Sequence, residues 1–393
     1  MSHFRYLIVG GGLAGDAALQ ALRASDPGGS IGVVGAEPHL PYDRSPLTKA
    51  LWHGAPEGTV FRAGSRGGVE LMLGRRAVAL DTALRVVTDD RGVRHGYEKL
   101  LLATGAVPRR LVGAAPEVVW LRTLEDYRRL RGLAVEAARV AVLGGGFVGS
   151  EVAAALTTRG LHVTMLVAED GLLPGLLPAE LSQAITRDYR WRGVRVETGQ
   201  RVTGVERRGR DLVVSCASGL QVAADVVVGG LGVIPETGLA GQAGLEVDDG
   251  IVVDDRLRTR VPDVFAAGDA ARFPDGPDGR MVRVGHEEAA LAMGLCAGRN
   301  MAGADLPFRH VPGFRLDLFG LDGEAVGEVD ARLEVWPDWR EPHRRGAVYY
   351  ARNGRVTGVL CWGLPGRAEA ARRIVARGEL LRPETLRGRL TGS

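Results

Sequence analysis

Two glycine-rich turns are the parts of this sequence best suited to bind phosphate groups. Residues 10–15 read Gly-Gly-Gly-Leu-Ala-Gly, and residues 144–149 read Gly-Gly-Gly-Phe-Val-Gly. Such a turn lets the backbone approach a pyrophosphate at the start of the next helix, where unpaired N–H groups and the helix dipole favour anions. The residues that we assign to the two turns are Gly10, Gly12, Leu13, Ala14 and Gly15, and then Gly144, Gly146, Phe147, Val148 and Gly149.

The elements around the two turns are the evidence for dinucleotide binding, since the glycine motif alone is weak. Glycine makes up 57 of the 393 residues, so the motif arises easily by chance. The first turn follows an apolar run at residues 4–9 and precedes a helical pattern, and a second strand at residues 30–35 leads to Glu37. The second turn repeats this order. Its elements are strands at residues 139–143 and 162–167, a helix at residues 150–158, and then Glu169. The repetition predicts an α/β fold with two Rossmann-like dinucleotide-binding domains, in which each trailing acid binds a ribose.

Two dinucleotide sites in one chain favour hydride transfer, with one cofactor that stays bound and one that exchanges. A resident flavin can accept a hydride from a nicotinamide and release the electrons singly. We expect NADH to be preferred over NADPH. Glu169 would repel a 2′-phosphate, and residues 163–180 contain no arginine to receive one.

Other strands and a separate C-terminal part complete the predicted architecture. Short β-rich runs at residues 99–103, 225–229 and 264–267 are typical of buried parallel strands. From residue 305 onwards the pattern changes. Asn353-Gly354 predicts a hairpin turn between strands at residues 347–351 and 356–362, residues 320–327 are rich in turn formers, and residues 368–377 read as a helix. We expect a small α+β domain built on an antiparallel sheet.

Composition excludes several classes of protein. Hydrophobic residues make up 45% and charged residues 25% of the chain, as in ordinary globular proteins. The net charge of +3 is spread along the chain, which argues against a nucleic-acid partner. Three separated cysteines predict neither a disulfide framework nor a metal site. The sequence shows neither a signal-type segment nor a run that could span a membrane, so we expect a cytoplasmic protein.

A longer segment carries a specific family resemblance. Residues 35–49 read Gly-Ala-Glu-Pro-His-Leu-Pro-Tyr-Asp-Arg-Ser-Pro-Leu-Thr-Lys, which resembles the signature of the FAD-dependent, pyridine nucleotide-linked ferredoxin reductases of oxygenase systems, a family that includes apoptosis-inducing factor. Segments at residues 103–105, 121–124, 232–235 and 261–270 agree in order. The resemblance implies a discontinuous FAD domain at residues 1–108 and 236–304, an NAD domain at residues 109–235 and a C-terminal domain at residues 305–393.

The resemblance also implies roles for individual residues. Glu37 would bind the FAD ribose, Arg44 the pyrophosphate, the Ala77 backbone the adenine, and Asp269, where a strand ends and a helix is expected to open, a ribitol hydroxyl. Lys49 would lie beside the reactive flavin nitrogen and pair with Glu151. Lys49 and Lys99 are the only lysines in an arginine-rich chain, which favours a chemical reason for keeping Lys49. The further cofactor-binding residues are Ala103, Thr104, Gly105, Arg122, Gly232, His286 and Glu287.

Two departures from the family qualify the prediction. No cysteine follows the first glycine turn, where disulfide-reducing relatives carry a redox-active pair. Arg315 occupies a position near the flavin at which the family usually has tryptophan. The resemblance therefore does not predict which residue covers the outer face of the flavin.

We therefore predict an FAD-dependent NADH oxidoreductase, a monomer or homodimer, that passes electrons to a small acceptor protein. An acidic ferredoxin is the expected acceptor, because the C-terminal part is rich in arginine. Two alternatives stay open: a redox-responsive binding flavoprotein similar to apoptosis-inducing factor, and an NADH oxidase or quinone reductase without a protein partner.

Overall fold

The computed structural model describes residues 2–64, 67–276 and 279–392, within which the chain alternates between parallel and antiparallel sheets. The strands, in chain order, are β1 (Ser2–Val9), β2 (Ile31–Gly35), β3 (Val69–Leu73), β4 (Ala77–Asp81), β5 (Val86–Asp89), β6 (Arg94–Leu102), β7 (Ala106–Pro108), β8 (Val119–Trp120), β9 (Arg139–Leu143), β10 (His162–Leu166), β11 (Arg195–Glu197), β12 (Val202–Arg208), β13 (Asp211–Cys216), β14 (Gln221–Ala224), β15 (Val226–Gly229), β16 (Val233–Pro235), β17 (Ile251–Val252), β18 (Val264–Ala266), β19 (Ala271–Asp275), β20 (Arg280–Val282), β21 (Gly313–Leu318), β22 (Leu321–Gly327), β23 (Glu334–Glu341), β24 (Arg345–Arg352) and β25 (Arg355–Trp362).

Helices connect the parallel strands. The α-helices are α1 (Leu13–Ser25), α2 (Leu124–Glu136), α3 (Phe147–Thr158), α4 (Ala179–Trp191), α5 (Gly238–Gln242), α6 (Glu287–Met301), α7 (Ala368–Arg377) and α8 (Pro383–Leu386). Short 3₁₀ helices lie at Ser45–Leu47, Ala50–His53, Glu57–Val60 and Gly268–Ala270.

The chain divides into two compact units, of which the first comprises Met1–Asp43, Glu57–Val107 and Ile234–His310. Its main sheet has the order β3-β2-β1-β6-β5-β4, and β18 also pairs with β6. Strands β1, β2, β3, β6 and β18 run parallel, whereas β4 and β5 are antiparallel. Helices α1 and α6 pack together. Buried aliphatic residues of β1 and β6 form the centre of this unit's core, as expected of a sheet covered on both faces.

The second unit comprises Arg44–Pro56, Pro108–Val233 and Val311–Ser393. It contains a parallel sheet of order β11-β10-β9-β15-β8, a small antiparallel sheet of β12, β13 and β14, and a five-stranded antiparallel sheet of order β21-β22-β25-β24-β23. Helix α7 packs against β22 and β25 of the last sheet. The mixed α/β fold predicted from the sequence is confirmed, while the division into three domains stays a prediction.

The C-terminal sheet confirms one local prediction and corrects another. Asn353 and Gly354 have φ values of 52° and 71°, so they form the predicted two-residue hairpin turn between β24 and β25. The turn-rich segment at residues 320–327 is different, because most of it forms strand β22. Gly323 has a packing role there: a Cβ at this position would press on the ring of Trp362, which lies 2.9 Å away.

No helix in the described part of the chain is both long and apolar enough to cross a membrane.

Candidate functional site

The first glycine turn forms a cradle of backbone. Gly10 has φ of 123°, and a Cβ on it would overlap the carbonyl oxygen of Ala103, so the turn fits closely against the end of β6. A Cβ on Gly15 would overlap the carbonyl oxygen of Gly10. Helix α1 begins at Leu13 with Gly12 as its N-cap, and no described side chain caps it. The N-terminal N–H groups of α1 therefore suit an anion from a ligand.

The second turn repeats this geometry. Gly144 has φ of 96°, and its Cβ would overlap the carbonyl oxygen of Gly230 at the end of β15. A Cβ on Gly149 would overlap the carbonyl oxygen of Gly144. Gly146 is the N-cap of α3, again without a cap from a described side chain. Both turns thus pack closely against backbone of their own unit, whereas a Cβ on Gly12 or Gly146 would meet nothing within 4 Å, which leaves space for a pyrophosphate at the start of each helix.

The two acids that follow these units differ in their surroundings. Glu37, just beyond β2, accepts a hydrogen bond of 2.5 Å from the Tyr42 hydroxyl to Oε2, which orients the carboxylate. Glu169 lies three residues beyond the end of β10 and is exposed. Its carbonyl accepts the N–H of Gly199. Val167, directly after β10, is fully buried, so Glu169 is the nearest acid that faces solvent there.

The remaining predicted residues of the first unit lie at strand ends. Ala77 begins β4, and Ala103, Thr104 and Gly105 follow β6. The Thr104 hydroxyl donates to the carbonyl of Glu236 at 2.5 Å. The expectation that Asp269 opens a helix is wrong, because it sits in the single 3₁₀ turn Gly268–Ala270, which leads into strand β19.

His286 is the N-cap residue of α6, and Glu287 is the first residue of that helix. Burial lowers the pKa of His286 to about 4, and the carboxylate of Asp269 opposes this shift. The imidazole is therefore neutral at physiological pH, and it can donate or accept a hydrogen bond without carrying charge.

An ion pair lies at the start of α3 in the second unit. Lys49 Nζ is 3.1 Å from Glu151 Oε1, and their side chains are 20% and 6% exposed. The Thr48 hydroxyl donates to Glu151 Oε2 at 2.6 Å. Burial raises the pKa of Glu151, and Lys49 and Thr48 oppose that rise. The ion pair expected from the sequence is present in the structure, and its catalytic role stays a prediction.

Aromatic and backbone contacts surround this pair. Phe147, the first residue of α3, packs edge to face on Phe314 of β21 with 5.2 Å between ring centroids. The buried Tyr189 donates from its hydroxyl to the carbonyl of Ser150 at 3.0 Å. Lys49 Nζ also donates to the carbonyl of Arg315 at 3.2 Å. The start of α3, at the second glycine turn, and Lys49 of the ion pair therefore both contact strand β21 of the C-terminal sheet.

Hydrogen bonds to backbone carbonyl groups hold the other predicted residues of the second unit. The Arg44 guanidinium donates to the carbonyl of Arg122 at 2.9 Å, and Arg122 precedes the N-cap of α2. Gly232 has φ of 87°, and its carbonyl accepts the N–H of Arg109.

The predicted residues fall into two sets, one in each unit. The first unit holds Gly10, Gly12, Leu13, Ala14, Gly15, Glu37, Ala77, Ala103, Thr104, Gly105, Asp269, His286 and Glu287. The second unit holds Arg44, Lys49, Arg122, Gly144, Gly146, Phe147, Val148, Gly149, Glu151, Glu169 and Gly232. Sequence reasoning missed Tyr42, Thr48 and the backbone of β21. Tyr42 and Thr48 lie inside the segment that carries the family resemblance, so a search for partners of Glu37 and Glu151 would have found them, whereas the backbone role of β21 leaves no signal in residue type.

Metal and disulfide chemistry receive no support from the described residues. They contain no group of His, Cys, Asp and Glu that could hold a metal ion. Cys216 and Cys361 are buried in strands, and Cys296 is partly buried in α6.

Two βαβ units with equivalent glycine turns in one chain define a class, the oxidoreductases built to bind two dinucleotides. The chain belongs to the pyridine nucleotide-disulphide oxidoreductase family, whose description matches residues 4–294. The predicted pyridine nucleotide-linked oxidoreductase is thereby confirmed.

Known relatives include proteins of both predicted branches. The chain is 34% identical to the 5,5′-dehydrodivanillate O-demethylase ferredoxin reductase subunit of Sphingobium sp., over 92% of this chain and 90% of that one. It is 31% identical to the mitochondrial apoptosis-inducing factor 1 of Dictyostelium discoideum, over 96% of this chain and 79% of that one. Among solved structures, the covalent putidaredoxin reductase–putidaredoxin complex contains a chain with a TM-score of 0.91 and 29% identity, with 98% of this chain and 96% of that one covered.

Proposed function

We propose that this protein is an FAD-dependent reductase that takes a hydride from NADH and delivers electrons to a small electron-transfer protein such as a ferredoxin. The duplicated glycine cradle carries this proposal, because two dinucleotide sites in one chain suit a resident and an exchanging cofactor. Relatives named as ferredoxin reductase components support the choice of acceptor.

FAD is assigned to the first unit. The turn of Gly10 and Gly15 would receive its pyrophosphate, Glu37 its ribose, and Asp269 its ribitol chain. The Tyr42 hydroxyl would hold the Glu37 carboxylate in place for the ribose. The neutral His286 at the start of α6 would add a hydrogen-bonding group without a charge. Following the sequence, we assign residues 1–108 and 236–304 to this domain, residues 109–235 to the NAD domain and residues 305–393 to the C-terminal domain.

NADH is assigned to the turn of Gly144 and Gly149, with Glu169 as the acid that favours a free 2′-hydroxyl. The exposed position of Glu169 supports this assignment, since its carboxylate is available to a ribose. A 2′-phosphate would meet a like charge there.

When bound, FAD supplies the acceptor for the hydride and releases electrons singly. The contribution of this chain is a fixed pair of charges in the second unit. Lys49 keeps a compact ammonium in place because Glu151 and the carbonyl of Arg315 both accept from it. Thr48 and Lys49 keep the buried Glu151 carboxylate compensated, so the ion pair needs no reorganisation while charge moves.

The protein is proposed to act in the cytoplasm as a monomer or homodimer.

The acceptor is proposed to be acidic and to bind at the arginine-rich C-terminal part of the chain. Arg344 and Arg345 are exposed at the turn between β23 and β24. Arg344 also borders a cavity of about 410 Å³, together with Trp191, which is 82% exposed. Arginine and tryptophan are typical anchors of protein interfaces.

The first test is whether the purified protein carries FAD and whether Asp269→Ala sheds it. Asp255→Ala is the control, since this aspartate belongs to the same unit and its side chain is 44% exposed. We expect the control to keep a full complement of FAD and Asp269→Ala to lose it on dialysis. Retention of FAD by both variants would refute the assignment of Asp269.

The second test separates the candidate functions by stopped-flow reoxidation after reduction with NADH. A panel of ferredoxins, rubredoxin, quinone and oxygen serves as acceptors. Rapid reoxidation by a ferredoxin supports the proposed reductase. A long-lived reduced complex with every acceptor favours the binding flavoprotein, for which the similarity to apoptosis-inducing factor speaks. Rapid reoxidation by quinone or oxygen alone favours an NADH oxidase or quinone reductase without a protein partner.

A further inference from the structure

A buried carboxylate lies in the first turn of α1, in the first unit. Asp16 is 2% exposed and follows Gly15, the last glycine of the first turn. The helix rise of about 1.5 Å per residue places Asp16 about 4.5 Å along the axis from Leu13, where α1 begins. An acid in this position normally stabilises a helix, because it complements the positive end of the dipole. Here the same charge would repel a ligand anion bound at the N-terminal N–H groups.

Arg62 supplies the opposite charge. Its Nε lies 2.9 Å from Asp16 Oδ2, and the two side chains are 27% and 1% exposed. Its Nη1 lies 2.9 Å from Oδ1 of Asp43, whose side chain is 41% exposed. A carboxylate as deeply buried as that of Asp16 is little screened by water, so its charge acts on its surroundings unless a cation stands beside it. The contact with Arg62 therefore matters more for Asp16 than for the exposed Asp43.

Backbone contacts hold Arg62 in place independently of its side chain. The N–H of Arg62 donates to the carbonyl of Pro41 at 2.9 Å. An antiparallel bridge joins the neighbouring residues Tyr42 and Phe61. These contacts should survive replacement of the Arg62 side chain, so its charge can be removed while the backbone around it stays paired.

We propose that Arg62 compensates the buried charge of Asp16, and that this compensation allows the start of α1 to bind the pyrophosphate of FAD. Arg62 acts through Asp16 and is a positioning residue in this proposal. The inference rests on the proposed function in one respect, namely that FAD binds to the first unit. It gives a role in cofactor binding to an ion pair that the glycine motif does not contain.

Equilibrium dialysis of the holoprotein at pH 8 measures the dissociation constant of FAD without any need for NADH or turnover. Arg62→Met leaves the Asp16 carboxylate uncompensated, and we expect FAD to bind at least tenfold more weakly. The double variant Arg62→Met with Asp16→Asn has lost both charges and should bind FAD within about threefold of wild type. This rescue distinguishes charge compensation from a structural tie, because the double variant has no ion pair either. A double variant that binds FAD as weakly as Arg62→Met would overturn the proposal.

The single variant Asp16→Asn covers the case in which Arg62→Met does not fold. It keeps the arginine and offers it a neutral acceptor of the same shape. Because a negative charge is removed from the start of α1, FAD should bind as tightly as in the wild type or more tightly. FAD binding weakened more than about threefold would contradict the proposal, since a pair that served only to tie α1 to Arg62 would be lost in this variant too.

Two controls separate this effect from the loss of an ion pair in general. Asp43→Asn removes the other carboxylate at Arg62 and leaves Asp16 compensated. Arg192→Met breaks a pair of similar length in the second unit, in which Arg192 Nε lies 2.8 Å from Asp188 Oδ2 and the side chains are 29% and 9% exposed. Both controls should bind FAD within about twofold of wild type. A tenfold loss in either control would show that the weakening in Arg62→Met is not specific to Asp16, and the proposal would fail.

The wild-type protein separates a failure of this proposal from a failure of the proposed function. If the purified wild-type protein binds no FAD, both fail. If it binds FAD and Asp16→Asn does not rescue Arg62→Met, only charge compensation by Arg62 fails, and the assignment of FAD to the first unit stands.

Discussion

Lys49 Nζ lies 3.1 Å from Glu151 Oε1, and these two residues come from distant parts of the chain. The 3₁₀ segment at Ser45–Leu47 leads to the lysine, and the second turn of α3 carries the glutamate. The other lysine of the chain, Lys99, donates to the carbonyl of Met301 at the C-terminal end of α6 at 2.8 Å. The larger guanidinium of an arginine could not take the place of the compact Lys49 ammonium beside Glu151 unless neighbouring groups moved. This difference accounts for a lysine at position 49 in an arginine-rich protein.

Replacing Lys49 should slow the reaction and leave the flavin bound. Lys49→Met removes the fixed positive charge beside Glu151, and we expect flavin reduction by NADH to slow on the order of tenfold, the equivalent of about 1.4 kcal/mol in the transition state. Lys99→Met is the control and should reduce at the wild-type rate. Stopped-flow traces at saturating NADH measure both, and a wild-type rate for Lys49→Met would leave the ion pair without a catalytic role.

The same pair predicts a pH dependence of stability. Burial raises the pKa of Glu151 above its ordinary value of 4.5, so the folded state holds this proton more tightly than the unfolded state. The corresponding stability is fully present below the ordinary pKa, and it is lost as the pH rises through the raised pKa of the folded state.

Lys49→Met raises that pKa further and should therefore lower the free energy of unfolding more at pH 8 than at pH 5. The double variant Lys49→Met with Glu151→Gln should lose this extra pH dependence, because no carboxyl remains to titrate. Urea unfolding at the two pH values measures the effect. Parallel changes in both variants at both pH values would contradict the prediction.

The two glycine cradles should respond separately to an added methyl group. Gly15→Ala would drive a Cβ into the carbonyl of Gly10, and we expect loss of FAD from the purified protein. Gly149→Ala would drive a Cβ into the carbonyl of Gly144, and we expect FAD to remain while the KM for NADH rises at least tenfold. Absorbance of bound flavin and steady-state kinetics measure the two effects. Loss of FAD in Gly149→Ala, together with retained FAD and a raised KM for NADH in Gly15→Ala, would reverse the cofactor assignment.

Cofactor preference should depend on Glu169. The wild-type protein should have a higher kcat/KM with NADH than with NADPH, because a carboxylate at the ribose repels a 2′-phosphate. Glu169→Ser should lower the ratio of kcat/KM with NADH to kcat/KM with NADPH, mainly because NADPH binds better. Glu180→Ser, which removes an acid whose side chain is 85% exposed on α4, is the charge-matched control and should leave the ratio unchanged. Equal kcat/KM values for both cofactors in the wild type would refute the assignment.

Reduction of a ferredoxin should be sensitive to salt if the arginine-rich surface guides an acidic partner. Complementary charge chiefly raises the association rate, and the Debye length of about 10 Å at 0.1 M salt screens it as salt increases. We expect turnover with ferredoxin to fall with ionic strength more steeply than turnover with a small neutral acceptor. Arg344→Glu with Arg345→Glu should raise the KM for ferredoxin. An unchanged KM would show that the partner does not use this surface.

The local elements of this protein can be predicted from its amino-acid sequence. Each βαβ unit could be predicted because its strand, glycine turn and helix lie within a few dozen residues, and their signals depend on neighbours along the chain. The hairpin at Asn353-Gly354 and helix α7 were predicted for the same reason, since turn chemistry and helical periodicity are local. The family resemblance then supplied the pairing of Lys49 with Glu151, which no local pattern contains.

Features that depend on contacts between distant segments could not be predicted in this way. Residues 320–327 contain turn formers, yet most of them form strand β22, because Gly323 faces the ring of Trp362 and the strand pairs on both sides. Asp269 lies in a single 3₁₀ turn because the chain continues into β19, which pairs with β17 and β20. The Arg315 carbonyl of β21 meets Lys49 only when distant parts of the chain come together, and backbone groups have the same chemistry at every residue, so residue type gave no signal for that contact.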